Sequence, residues 1–267
     1  MDTTKVMYDG IRAHDFSTFD TSIDIKNLET GEVIFKGLKN KVIISGSSTI
    51  ARKLFEINTD DPIPSYNKIL NLYPYNPVYG DPAVSVDPKV LLFCCGTDGC
   101  GSENSQVYPV DYSKCIHINS IIQFRCQPYD NDLSAELRKK YFGRKVDGDY
   151  IYYYFKTFEN PPKLTQRYMD GTPIGSDVFT SSKTSSAETF IEINMKITKD
   201  DMRDYFYKSG TGDRARINCL SLCTACPVEE NGQIYYVNIR PLTKLNFPNE
   251  SLIDISKGIE ISYHIYM

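Results

Sequence analysis

At the end of the chain, Ile259, Ile261, Tyr263 and Ile265 alternate with Glu260, Ser262 and His264. This period of two predicts a half-buried β-strand that runs into the last residues. A terminus used as sheet constrains the rest of the chain, because a strand leaves backbone donors and acceptors that neighbouring strands must satisfy. The preceding sequence supplies such neighbours. Glu188 to Ile197, Arg216 to Cys226 and Ile234 to Ile239 all read as strands, and Asn231-Gly232 is a hairpin signal between the last two. Thr198 is expected to cap a short helix with Asp200 and Asp201 in its first turn.

The same reading extends towards the N-terminus. Ile23 and Ile25, a turn over Asn27 to Gly31, then Val33 and Phe35 form a hairpin pattern, and Val42 to Ile44 is a further short strand. Ser47 or Ser48 can cap a helix in which Ile50, Leu54, Phe55 and Ile57 recur at helical spacing. Lys89 to Cys95 reads as a buried strand followed by a tight loop over Gly96 to Gly101, and Ser120 to Cys126 alternates as another strand. Ser134 is expected to cap a helix over Ala135 to Phe142, with Gly143 as its stop. Tyr150 to Phe158 is an aromatic strand with Ile151, Tyr153 and Phe155 on one face and Tyr152, Tyr154 and Lys156 on the other, a pattern that needs cover on both sides. The fold class is therefore α+β, mainly β, with antiparallel-rich sheets of roughly eight to eleven strands, three or four short helices and extended arms.

Three segments lack this periodicity. Residues 1–22 read as an N-terminal arm, and 23–267 as one β-rich domain interrupted by loops at 58–88 and 159–187. The first loop holds six prolines between Asp61 and Pro88, with Tyr66, Tyr73, Tyr75 and Tyr79 among them and one short helix over Asn67 to Leu72. An excursion of this composition cannot satisfy itself and is expected to lie against a neighbour.

Composition narrows the function classes. The 267 residues carry 30 basic and 34 acidic side chains, a net charge of −4, without the concentrated basic face that nucleic acid requires. Apolar stretches such as Val90 to Cys95 fall far short of the roughly 20 residues of a membrane span, and MDTTKVMYDG lacks a leader's apolar region. The expectation is a protein made in a cytosol, with eight reduced and mostly buried cysteines.

Cys219, Cys223 and Cys226 have the spacing of the iron–sulfur site in radical enzymes that use S-adenosylmethionine, yet on a strand the first two face one way and the third the other. Cys94, Cys95, Cys100, Cys115 and Cys126 lack the paired spacing of a zinc site, and only His14, His117 and His264 could assist them. Asp130, Asn131 and Asp132, and Asp98 with Glu103, are turn residues rather than a calcium loop. Neither His117 nor His264 accompanies a nucleophile elbow. These readings give no catalytic residue, no metal and no cofactor, and hence no enzyme.

Asn27 to Phe35 with the following GLKNKVIISGSSTIARKLFEI, the segment GTDGCGSENSQVYPVDY, and RPLTKLNFPNESLIDISKGIEISYHIYM together resemble virion structural proteins of tailed bacteriophages. The resemblance implies a connector, adaptor or wedge subunit in a ring of the neck, tail or baseplate, binding copies of itself and neighbouring virion proteins. Its contacts are expected from the N-terminal arm, from Tyr66, Tyr73, Tyr75 and Tyr79 in the first loop, and from Tyr168 and Phe179 in the second. A metal- or cluster-containing enzyme built on Cys219, Cys223 and Cys226, and a tail-tip module that binds a host surface, are the rival expectations.

Overall fold

A computed structural model describes residues 20–42, 46–50, 64–77, 86–97, 99–103, 106–109, 121–168, 171–173, 187–208, 217–247 and 258–266. Among these, 57% are strand and 10% helix, so the mainly-β class holds. In chain order the strands are β1 (Asp20–Asn27), β2 (Val33–Leu38), β3 (Lys41–Val42), β4 (Lys89–Gly96), β5 (Cys100–Glu103), β6 (Gln106–Pro109), β7 (Arg125–Pro128) and β8 (Tyr141–Asp147). They continue with β9 (Tyr150–Thr157), β10 (Lys163–Tyr168), β11 (Ala187–Ile197), β12 (Cys219–Glu230), β13 (Gln233–Pro241), β14 (Thr243–Asn246) and β15 (Ile259–Tyr266).

The alternating strand at the end of the chain lies in the middle of a five-stranded sheet ordered β10-β11-β15-β1-β2. β15 is antiparallel to both neighbours, so Ile261 faces Ile25 and Met195 while Tyr263 faces Ile23 and Ile193. These rows line one face, and each fully buried aliphatic side chain contributes about 1.5–3 kcal/mol. The Tyr263 hydroxyl, enclosed with them, is hydrogen-bonded to the Asn40 amide.

An eight-stranded sheet runs β3-β14-β12-β4-β9-β7, with β13 added to β12 and β8 to β9. Its inner strands are buried on both faces. From β4, Phe93 and Cys95 enter a first core shared with the five-stranded sheet, whereas Leu92 and Cys94 enter a second core behind it. β12 divides likewise, with Leu220 and Leu222 in the first core and Cys219 and Cys223 in the second. Asn231 and Gly232 join β12 to β13 with φ of 53° and 75°, the left-handed pair that a two-residue hairpin turn needs.

Several sequence expectations are corrected. The helix after Ser134 covers only Ala135–Arg138. Tyr141 and Phe142 instead begin β8, where pairing with β9 overrides local helix propensity. Gly143 is not a helix stop but a strand residue at φ 68°, and a Cβ there would stand 2.4 Å from the Phe155 ring. The loop at 159–187 contains β10, whose Lys163, Thr165, Gln166 and Arg167 hide its strand character because it is an edge strand with an exposed outer side. The strand expected over Ser120 to Cys126 begins only at Arg125, and Ile121 makes an isolated bridge to Gly96. After Thr198 the helix starts at Arg203, because Asp201 folds back to accept the Thr198 amide at 2.8 Å. Along β9, Ile151 and Tyr153 join the first core and Phe155 the second, as the strand changes partner from β7 to β4.

Candidate interaction site at the seam of the second sheet

Among the described residues β8 pairs only with β9, and β13 only with β12, so each has one side without a described strand partner. These two sides approach each other, with Phe142 of β8 and Tyr236 of β13 packed edge to face at 4.5 Å. The Pro/Tyr segment closes the seam. Ser65 caps a short helix, Tyr66–Leu70, by accepting the Lys68 amide, and Asn71 ends it in the left-handed region at φ 54°. Asn67, fully buried, then acts as a strand in miniature. Its side-chain amide donates to the Tyr236 carbonyl at 3.0 Å, and its carbonyl oxygen accepts the Ile239 amide at 2.9 Å. On the other side of the seam the Tyr73 amide donates to the Arg144 carbonyl at 2.8 Å. Tyr66 and Leu72 point inward, with the Tyr66 ring 5.5 Å from that of Phe155.

Beside the strap the seam widens into a cleft of about 520 Å³, lined chiefly by Leu133, Arg138, Lys139, Phe142, Ile234 and Tyr236. That volume lies within the ordinary range of ligand and anchor pockets, roughly 300–1,000 Å³. Asp132 organises one wall. It accepts Arg138 at 2.8 Å, Arg144 at 3.4 Å, the Tyr153 hydroxyl at 2.7 Å and the Leu133 amide at 2.7 Å. Burial, then the hydrogen bond to Asp132, pushes the Tyr153 phenol well above its ordinary range. Burial also raises the Tyr236 phenol. At the rim Lys139 pairs with Glu136 at 2.9 Å, which lowers that carboxyl.

A second polar cluster is sealed inside the first core. Lys156 and Asp201 pair at 2.8 Å with 3% and 0% of their side chains exposed. The Lys156 ammonium also donates to the Lys196 carbonyl at 2.8 Å, and Asp201 accepts Tyr141 at 2.6 Å. Every partner is supplied from within, so this cluster is a lock holding the Thr198–Met202 turn on β9. The six described thiols, Cys94, Cys95, Cys126, Cys219, Cys223 and Cys226, are equally enclosed. Cys94 and Cys223 sulfurs lie 3.7 Å apart, and burial followed by the Cys223 contact pushes the Cys94 thiol up. Among the described residues no three metal-ligating side chains converge, and no helix is long and apolar enough to cross a membrane.

Of the contact residues expected from sequence, Tyr66 is a core side chain at 1% exposure and Tyr168 is buried opposite Ala187. Tyr73 is exposed, stacks edge-on against Tyr235 at 4.8 Å and donates its hydroxyl to Glu230. That hydrogen bond, then burial, raises its phenol to about 12. Tyr75 is half-buried, and its amide donates to the Leu72 carbonyl at 2.8 Å. Tyr79 and Phe179 lie outside the described residues. Sequence reasoning missed Asn67, Asp132, Arg138 and Ile234. Only Asp132, beside Asp130 and Asn131, gave a signal, and it read as a turn.

The chain matches no protein-family model, and neither a curated protein nor a solved structure matches it.

Proposed function

We propose that this protein is a structural subunit of a phage virion, a connector or wedge in a ring of the neck, tail or baseplate that works through subunit contacts and catalyses nothing. The reading joins the sequence resemblance to one structural observation, the grouping of exposed apolar side chains at strand ends. Tyr129, Val146 and Tyr150 crowd one hairpin tip, Tyr73 and Ile234 flank the seam, and Leu164 stands 61% exposed on the edge strand β10. Grouped exposure of this kind marks surfaces that a partner covers. The enclosed thiols agree with it, since Cys94, Cys219 and Cys223 pack in the second core as small apolar side chains while Cys226 lies apart from that cluster.

Light scattering on the purified chain, alone and mixed with the neighbouring virion proteins, tests the reading. A discrete complex several times the 30.4 kDa chain mass, or a defined complex with a neighbour, is expected. A monomer indifferent to every neighbour contradicts it.

A further inference from the structure

The sealed Lys156–Asp201 cluster holds the reactants of an amide bond as well as the members of an ion pair. Lys156 stands on β9 opposite Tyr141 of β8 and Phe93 of β4, with its Nζ 2.8 Å from Asp201 Oδ2 and 5.4 Å from the centre of the Tyr141 ring. Asp201 belongs to the turn after β11. That turn is fixed by the Asp201 amide on the Thr198 carbonyl at 3.0 Å and by the Met202 amide on the Phe124 carbonyl at 2.8 Å. The two carboxyl oxygens have different surroundings. Oδ2 accepts the Thr198 amide at 2.8 Å and the Thr198 hydroxyl at 3.1 Å, whereas Oδ1 accepts the Tyr141 hydroxyl at 2.6 Å. Fixed donors on one oxygen and a proton-bearing hydroxyl on the other suit acyl transfer, in which one oxygen carries the developing charge and the other departs.

We infer that Lys156 and Asp201 condense into an intramolecular isopeptide bond, tying β9 of the eight-stranded sheet to the turn that follows β11 of the five-stranded sheet. Burial strips both ions of their hydration, which favours moving one proton from the ammonium to Oδ1. The freed lone pair on Nζ then attacks Cγ, and the negative charge falls on Oδ2, facing the Thr198 amide and hydroxyl. Tyr141 delivers its proton to Oδ1 as the Cγ–Oδ1 bond breaks, and takes one back from the nitrogen. One C–N bond forms, one C–O bond breaks and one water leaves, with no oxidant or reductant required. The Lys196 carbonyl, which accepts Lys156 at 2.8 Å, holds the remaining N–H, and the enclosed site excludes the water that would reverse the step. The ion pair is the state before condensation. The inference stands apart from the assembly reading.

Mass spectrometry on the full chain, folded and then denatured, tests it. The intact mass is expected to fall below the sequence mass by one water, and a protease digest is expected to contain a branched peptide joining Lys156 to Asp201. Lys156→Met keeps the full mass, which separates this bond from cyclisation of Asp201 onto its own backbone, a reaction that loses the same water. Asp201→Asn condenses with loss of ammonia instead. Tyr141→Phe is expected to slow condensation by about a hundredfold. Circular dichroism verifies that the variants fold. If the folded native chain, held for days, yields Lys156 and Asp201 only in separate unmodified peptides, the inference is wrong. A water loss that persists in Lys156→Met overturns it equally, and a Tyr141→Phe chain that condenses at the native rate removes Tyr141 as the proton donor. None of these outcomes bears on the assembly reading, which light scattering decides.

Discussion

β4 has a core on each side, and the two are closed by different means. The first is shut by regular pairing, with isoleucine rows in register across β11, β15 and β1. The second is shut by a side chain, where Asn67 supplies the donor and the acceptor that a missing strand would have given to β13. Regular pairing spreads the closure over many equivalent bonds, whereas on the β13 side of the seam it is concentrated in one residue whose loss leaves two backbone groups buried without partners.

The contrast can be strained at several points. The largest effect is expected from Asp201→Ala, which leaves the Lys156 ammonium buried without its counter-charge and costs about 3–5 kcal/mol of stability in a urea titration. Replacing both members, Lys156→Met with Asp201→Leu, recovers only the part of that loss due to the unpaired charge, because the Thr198 amide and the Tyr141 hydroxyl still lack the Asp201 acceptor. Should the single and double variants unfold at the same urea concentration, the lock is not electrostatic. Asn67→Ala follows at about 2–4 kcal/mol, since the Tyr236 carbonyl and Ile239 amide are both stranded. Gly143→Ala drives a Cβ into the Phe155 ring from a left-handed backbone and is expected to cost about 1–3 kcal/mol. A neutral result there places Phe155 elsewhere.

The smallest effect lies at the strap's outer end. The Tyr73 phenol, raised to about 12 in the folded chain, holds its proton more tightly than when unfolded. Its contribution is complete below the ordinary phenol range near 10 and is lost as pH climbs towards 12. An alkaline absorbance titration of Tyr73→Phe should therefore lack a late-ionising phenol that the native chain shows. Equal amplitudes near pH 12 would count against the Glu230 hydrogen bond.

The regular half of the molecule was legible because each rule that shaped it leaves a local mark. Alternation gave β15, β1 and β11, and Asn-Gly gave the β12–β13 turn. The seam was not legible, because its logic is non-local. Asn67 meets its partners 169 and 172 residues further along, and nothing in Ser65-Tyr66-Asn67 distinguishes it from any capped turn. The Pro/Tyr excursion was read as an intersubunit contact, but its described helix covers the chain's own β13, and Tyr66, expected at an interface, is core. Gly143 shows the complementary error. A glycine after an apolar turn signals a helix stop from sequence, while here it makes room for an aromatic ring on the next strand.

Hydrogen exchange at single-amide resolution on Asn67→Ala tests the two-closure account most directly. Exchange at the Ile239 amide is expected to quicken to the level of local opening while Ile261 and Tyr263 in β15 keep their native protection. Equal acceleration at all three would mean that the cores open as one unit, and an unchanged Ile239 would mean that the seam is closed by something other than Asn67.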